Sequence, residues 1–404
     1  MSRTLSPPPR RAFLQWTAAS ALAPALSACA GPPRGTPVPT GMAGRASVLG
    51  LANERFHPLL GTDALEAELK QATERRVARR GARSFGELDL AFLAVSGGGE
   101  DGAFGAGLLC GWTEHGGRPV FDIVTGVSTG ALTAPFAFLG PRYDPKLRHV
   151  YTELTAADVL HQRSLLAALN DDAMADNAPL FATISRMADE AMLRDIALAY
   201  GEGRLLLIGT TDLDAQQPVI WNIGAIAASG HPRAADLVRR VFLASAAIPG
   251  AFPPTLIDST LDGQPHQEMH VDGGAFVQAF LYPAGLGAIR RERIAARRPV
   301  ADAEAYVIRN GRFDPDWADV RRQTLSIAGR AISTMITVSG YNDMLRIYYA
   351  TRRDSIGYNL AYIGREFDKV LPSPFDQGYM RALFQYGYDL GRQGYRWHKA
   401  PPYV

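Results

Sequence analysis

Ser128 stands between two glycines in Gly126-Val127-Ser128-Thr129-Gly130, and Asp272 precedes two more in Val271-Asp272-Gly273-Gly274. Upstream of both runs Gly97-Gly98-Gly99-Glu100-Asp101-Gly102. The first segment has the G-x-S-x-G form in which a sharp strand-to-helix turn exposes a serine. The second sets a lone carboxylate where a chain without side chains can bend tightly. The glycine run offers unhindered backbone N–H groups, suited to holding an oxyanion. Nucleophile, base and anion cradle are the parts of an acyl-transfer site.

These residues need elements to position them, and the flanks supply them. Phe121-Asp122-Ile123-Val124-Thr125 is a short apolar, β-branched run entering the serine turn, and Ala131 to Leu139 leaves it as an apolar helix. Leu88 to Ser96 reads as a buried strand ahead of the glycine run, and Ala103 to Trp112 as a tightly packed helix of small residues. Gly97, Gly99 and Gly102 also spell G-x-G-x-x-G, with Asp122 placed 20 residues beyond, as a dinucleotide site would want. Against that rival, Asp122 begins the strand that runs into the serine turn, where a ribose-binding acid should end one. The run also lacks Gly-Lys-Ser/Thr, which excludes a nucleotide P-loop.

A histidine base is hard to find. Only His398 follows Asp272, in a tail near the end of the chain, and His270 shares a face with Asp272 only if the strand there is unbroken. The economical reading is a Ser128–Asp272 dyad. An ordinary aspartate, with a pKa of about 3.9, is a feeble base, so Asp272 must be buried to work near neutral pH.

Four blocks in order, Gly97 to Gly102, Gly126 to Gly130, Ala244-Ser245-Ala246-Ala247-Ile248-Pro249-Gly250-Ala251-Phe252-Pro253-Pro254 and Asp272 to Gly274, resemble the patatin-like phospholipase family. The resemblance implies a three-layer α/β/α fold and a lipid acyl hydrolase, with Ser128 as nucleophile and Asp272 as the dyad acid. It places Gly97, Gly98, Gly99 and Gly102 in the oxyanion loop. The chain departs from the family at Asp101, where Arg or Lys is usual; an acid there opposes a developing oxyanion and bears on rate and substrate preference. The competing class is a non-catalytic envelope lipoprotein that keeps the fold as a binding scaffold.

The N-terminus indicates an address. Arg10-Arg11-Ala12-Phe13-Leu14 opens an apolar stretch ending at Leu26-Ser27-Ala28-Cys29, the anatomy of an export signal over residues 1–28. Leu26 to Cys29 resembles a bacterial lipobox, which implies acylation of Cys29 and a membrane-anchored lipoprotein of the cell envelope. The paired arginines resemble a twin-arginine signal. A Pro- and Gly-rich tether over 29–61 and a domain over 62–404, with its core motifs in 88–311, complete the expected layout. Cys110, the other cysteine, reads as a small core residue. Neither cysteine has a histidine or cysteine at metal spacing, so no zinc site is suggested, and neither metal nor cofactor is expected.

Composition fits a sizeable core, at 47% hydrophobic and 20% charged. The formal charge of +2 becomes −1 once Arg3, Arg10 and Arg11 leave with the signal, so no basic field argues for nucleic acid. Lipid or acyl ester is the expected partner, together with the membrane. Beyond the motifs, an exposed helix is expected over 62–80 and a helical stretch over 144–201, readable as core or as a lipid-admitting cap. Strands are expected at 204–211, 217–222, 304–309 and 358–363, with helices at 317–336 and 376–396. Strands alternating with helices imply a largely parallel sheet covered on both faces.

Overall fold

The structure is a computed structural model that describes residues 32–81, 88–162, 172–315 and 317–404. The export signal and Cys29, like the leucines from 165 to 169, lie outside the described residues. In chain order the strands are β1 (Arg55–Phe56), β2 (Leu90–Val95), β3 (Ile123–Val127), β4 (His161–Gln162), β5 (Ala175–Asp176), β6 (Leu205–Asp212), β7 (Gln217–Asn222), β8 (Thr255–Leu261), β9 (Gln264–Asp272), β10 (Ala303–Arg309) and β11 (Gly357–Tyr362). The helices are α1 (Asp63–Arg80), α2 (Gly102–His115), α3 (Thr129–Leu139), α4 (Asp144–Thr152), α5 (Ala178–Met187) and α6 (Glu190–Gly201). They continue with α7 (Ile223–Ala228), α8 (Ala234–Ser245), α9 (Ala284–Ala295), α10 (Thr324–Arg353) and α11 (Gln377–Arg392).

Five strands, ordered β6-β3-β2-β10-β11, form a parallel core. Their near-continuous apolar sequences, such as Leu-Ala-Phe-Leu-Ala-Val in β2, suit strands buried on both faces. One face carries the larger core, including Phe104, Leu108, Phe136, Leu147, Phe242 and Phe384 from α2, α3, α4, α8 and α11. The other face is covered by Leu65 and Leu69 of α1 with Met344 and Ile347 of α10. The result is a three-layer α/β/α fold. Its small-residue helix is explained by close contact, since a Cβ on Gly107 or Gly111 of α2 would strike the α11 backbone at Phe384 or Tyr388.

Antiparallel strands finish the sheet. β7 pairs with one edge of β6 over Leu207–Asp212, with β1 outside it. The opposite edge of β6 is shared end to end: β3 occupies it as far as Gly209, and β9 enters from the other direction to pair Asp272 with Thr210. β8 and β9 form a hairpin whose turn residues, Asp262 and Gly263, both have positive φ, as a two-residue hairpin turn requires.

Three sequence expectations change. α1 is a half-buried helix rather than an exposed one, with Leu65, Leu69, Glu68 and Arg76 buried. The helix expected at 317–336 begins at Thr324 and runs to Arg353. The stretch drawn as a tether through residue 61 is bound to the domain from Arg34 onward. Arg34 pairs with Asp214 at 2.7 Å, Ser47 bridges Thr260, and Arg55 lies in a strand.

Candidate active site

β3 ends at Val127 and α3 begins at Thr129, so Ser128 alone makes the turn. Its φ of 56° lies in the left-handed region, a strained conformation for a residue with a side chain and the signature of a nucleophile turn. The neighbouring glycines are required by crowding: a Cβ on Gly126 would lie 2.5 Å from Gly130 O, and one on Gly130 would strike Val95 O. Ser245, at the end of α8, fastens the turn. Its hydroxyl accepts the Ser128 N–H at 3.0 Å and donates to Gly209 O at 2.6 Å.

The register of β6 brings the acid to the serine. Val127 sits opposite Gly209 and Asp272 opposite Thr210, so two strands arriving from opposite directions stop on adjacent rungs. Asp272 Oδ1 accepts the Gly274 N–H at 2.7 Å. Oδ2 is buried and has no hydrogen-bond partner among the described residues. Burial pushes this carboxyl up from 3.8 to about 7, while the adjacent Ser128 hydroxyl and the Gly274 N–H pull the other way. The serine hydroxyl thus lies near enough to favour the charged carboxylate.

The four glycines expected in the oxyanion loop divide into two pairs. Gly97 N–H donates to Gln278 O at 3.1 Å, and Gly102 N–H turns back to Gly99 O and Glu100 O. Both are spent and are withdrawn as oxyanion donors. Their glycines serve packing instead: a Cβ on Gly97 would lie 3.1 Å from Ser128 Cβ, and one on Gly102 would strike Thr129 Oγ1. Gly98 and Gly99 keep N–H groups with no partner among the described residues. Gly98 has a φ of 157°, and a Cβ on it would strike Asn310 O. Two helix N-termini, those of α2 and α3, meet at this point and add positive potential.

Asp101 faces away from the serine turn toward α11. Tyr379 Oη donates to its Oδ1 at 2.7 Å, burial raises its pKa to about 6, and Arg309 and Arg312 lie within electrostatic reach. His270 is on the same face of β9 as Asp272, because the strand is unbroken to residue 272. Its ring nitrogens are nevertheless engaged elsewhere, Nδ1 with Thr210 Oγ1 at 3.0 Å and Nε2 with Glu268 Oε2 at 3.2 Å. His398 bridges Leu360 beyond β11, four strand spacings or roughly 19 Å from β3. Asp122, the acid of the dinucleotide rival, is a buried structural group that accepts the Ala91 N–H and pairs with Arg76 at 2.9 Å. Cys110 is buried, and burial pushes its thiol up to about 12.

Ser128 opens into an apolar cleft of about 740 Å³, mouth included, with Leu132, Val150, Leu180, Ile184, Met187 and Phe252 among its walls. α4 and α5, from the stretch readable as core or cap, form one side. Tyr151 ties α4 to α3 through Thr129 and Thr133 at 2.7 and 2.8 Å. Ser245, Gln278 and Asn310 are the site-building residues that motif reading missed. Of these only Ser245 falls in a block singled out from the sequence. Among the described residues no three His, Cys, Asp or Glu side chains gather as metal ligands.

Residues 93–281 match the model of the patatin-like phospholipase family. No curated protein sequence matches the chain. Among solved structures it is similar to VipD from Legionella pneumophila, at 12% identity and a TM-score of 0.32, covering 76% of this chain and 66% of that one. It is also similar to human GIVD cytosolic phospholipase A2, at 11% identity and a TM-score of 0.32, covering 81% of this chain and 54% of that one. The chain thus spans less than two thirds of either protein. The matched segment from 93 to 281 contains the glycine loop, Ser128 and Asp272.

Proposed function

We propose that this chain is a lipid acyl hydrolase that cleaves carboxylic esters through a Ser128–Asp272 dyad and an acyl-enzyme. Ser128 Oγ attacks the ester carbonyl while Asp272 Oδ2 takes the hydroxyl proton. The carbonyl oxygen, now negative, rests on the N–H groups of Gly98 and Gly99, which need no reorganisation as charge develops. Collapse expels the alcohol, which receives the proton from Asp272. Water then attacks the acyl-Ser128, again giving its proton to Asp272; collapse breaks the bond to Ser128 Oγ, which takes that proton back, and the carboxylic acid leaves. The observation that carries this reading is Asp272 Oδ2, buried and without a hydrogen-bond partner among the described residues, one rung from a serine turn that opens into an apolar cleft.

A fluorophosphonate probe followed by tryptic mass spectrometry tests it. Labelling of Ser128, with turnover of a p-nitrophenyl acyl ester, is the expected result. An unlabelled, folded protein without turnover would leave the binding-scaffold reading in its place. We further propose, from Leu26-Ser27-Ala28-Cys29, that the mature chain is anchored in the bacterial envelope through an acylated Cys29. Labelled palmitate should enter the protein and be absent from Cys29→Ser.

A further inference from the structure

α10 is 30 residues long, and its two halves are differently placed. From Gly340 onward it lies on the sheet: Met344 and Ile347 are buried, and Asp343 Oδ2 accepts the N–H of Gln278 at 2.6 Å and of Ala279 at 3.3 Å. Its C-terminal end feeds the start of β11, a strand parallel to β10 and β3. The helix therefore runs against the strands, and its N-terminal half lies at the end of the sheet that holds Ser128 and Asp272. Residues 324–339, roughly 24 Å of helix, extend ahead of the contact between Gly340 and Arg309, the last residue of β10.

This projecting half is amphipathic with its apolar side in solvent. At about 100° per residue, Ile327, Ile332, Met335, Ile336 and Val338 fall on one half of the helix together with Thr324 and Ser339, and Ser326, Arg330, Ser333, Thr334 and Thr337 on the other. Met335 is 69% exposed and Ile327 54%. Trp317 (86% exposed) and Val320 precede the helix with exposed Arg321 and Arg322, and no Asp or Glu occurs from 320 to 342. More exposed apolar groups lie at the same end: Phe276 just past the Asp272 turn, and Val370 and Leu371 between β11 and the cleft residue Phe375.

We propose that residues 317–339 are an interfacial arm that seats the catalytic end of the domain on an anionic lipid surface. Apolar side chains flanked by tryptophan and arginine, with Asp319 as the one acid against Arg321, Arg322 and Arg330, match the acyl boundary and negative headgroups of such a surface. The consequence for catalysis rests on the acyl-hydrolase reading: docking would bring the mouth above Ser128 against its substrate.

The test uses the full chain carrying Cys29→Ser, so that no acyl anchor contributes, and compares variants within that background. Vesicles of phosphatidylcholine alone, or with about a third phosphatidylglycerol, are sedimented with the protein. The parent should sediment with the anionic vesicles. The double substitution Ile332→Asp and Met335→Asp should weaken binding by roughly tenfold or more. Arg321→Gln with Arg322→Gln, at exposed positions, should remove most of the preference for anionic vesicles. All should hydrolyse a soluble short-chain ester as the parent does, and Ser128→Ala should bind vesicles normally. Vesicle binding without hydrolysis of any ester would reject the hydrolase reading and keep the arm. Hydrolysis with vesicle binding unchanged in both arm variants would reject the arm. So would a dimer in sedimentation velocity that Ile332→Asp with Met335→Asp dissociates while the parent ignores vesicles, which would make the face a self-association surface.

Discussion

Glu268 and Asp272 lie on one face of one strand, both buried, and their environments drive them in opposite directions. Burial pushes Glu268 upward too, but the hydrogen bond with His270 and the Arg55 guanidinium outweigh it and hold the group far below the usual carboxylate range. Arg55 reaches Glu268 through two nitrogens, while His270 continues through Thr210 to the indole N–H of Trp221. Among the described residues Asp272 meets no cation and keeps one oxygen without a partner, and burial pushes it up to about 7. Burial alone does not make a general base. A buried acid becomes one when the fold withholds its counter-charge and leaves it room to receive a proton.

The largest expected effect breaks the orphaned acid. Asp272→Asn should lower kcat/KM by at least about a hundredfold, the usual scale of a general base. Stability should move the other way. Because the folded pKa is raised, the contribution of this carboxyl is fully present below about pH 4 and is lost as pH rises through 7. The asparagine variant does not titrate, so its Tm should exceed that of wild type at pH 8, with the gap closing toward pH 4. Thermal scans at the two pH values check the sign. Equal Tm values at pH 8 would mean that Asp272 is not held ionised against burial.

On the proposed dyad, the same group sets the pH profile. With Asp272 as base at about 7, kcat/KM on a neutral ester should fall about tenfold per pH unit on the acid side, reaching roughly a hundredth at pH 5. A plateau extending down to pH 5 would mean the base has an ordinary carboxylate pKa and that the contrast with Glu268 is not functional.

The glycine loop tests whether anion binding is as local as the base. Gly98→Val drives a side chain into Asn310 O and should cost on the order of 10²-fold in kcat/KM, the scale of one lost oxyanion donor. Circular dichroism distinguishes this from unfolding.

How much of this was legible depends on how local the information is. The serine turn, the glycine run and Asp272-Gly273-Gly274 announce themselves because each needs glycine at fixed offsets. The parallel strands were legible from their unbroken apolar runs. The entry of Asp272 was not, since it depends on the β8–β9 hairpin; its Asp262-Gly263 signal was present in the sequence and went unread. Ser245, Gln278 and Asn310 act on groups far away in sequence, which no spacing reveals. The start of α10 was misplaced because Trp317 and Val320 mimic helical spacing. Its continuation was missed because Thr337 to Gly340 are weak helix formers, overridden by packing on the sheet. The Pro- and Gly-rich composition before residue 61 described a chain with little structure of its own and said nothing of the hairpin and strand it binds.

The satisfied acid can be attacked through its histidine. His270→Ala removes a partner of both Glu268 and Thr210 and leaves a void, so stability should fall by about 2–4 kcal/mol in urea unfolding. kcat/KM should remain above roughly a tenth of wild type, because neither ring nitrogen is directed at Ser128. Collapse of activity in a variant that remains folded would reinstate a histidine as base and reject the dyad.

Asp101 is a half-buried acid that lies between the two extremes, with one donor in Tyr379, Glu100 and two arginines in electrostatic reach, and a pKa raised to about 6. If the contrast between Glu268 and Asp272 turns on what faces the carboxylate, Asp101 should matter little to the chemistry, since it faces α11 and not the serine turn. Asp101→Ala should change kcat/KM by less than about tenfold in either direction, far below Gly98→Val. The direction is informative. At pH 8 the carboxylate is charged, and removing it lifts a negative charge from beside Gly98 and Gly99, which favours the oxyanion. At pH 5 the group is largely protonated in wild type, so that gain should vanish. The ratio of variant to wild type should therefore be higher at pH 8 than at pH 5. A ratio unchanged by pH would mean that this acid exerts no field on the oxyanion loop. An Asp101→Ala loss larger than that of Gly98→Val would place the anion site at the start of α2 instead of at the two free glycine N–H groups.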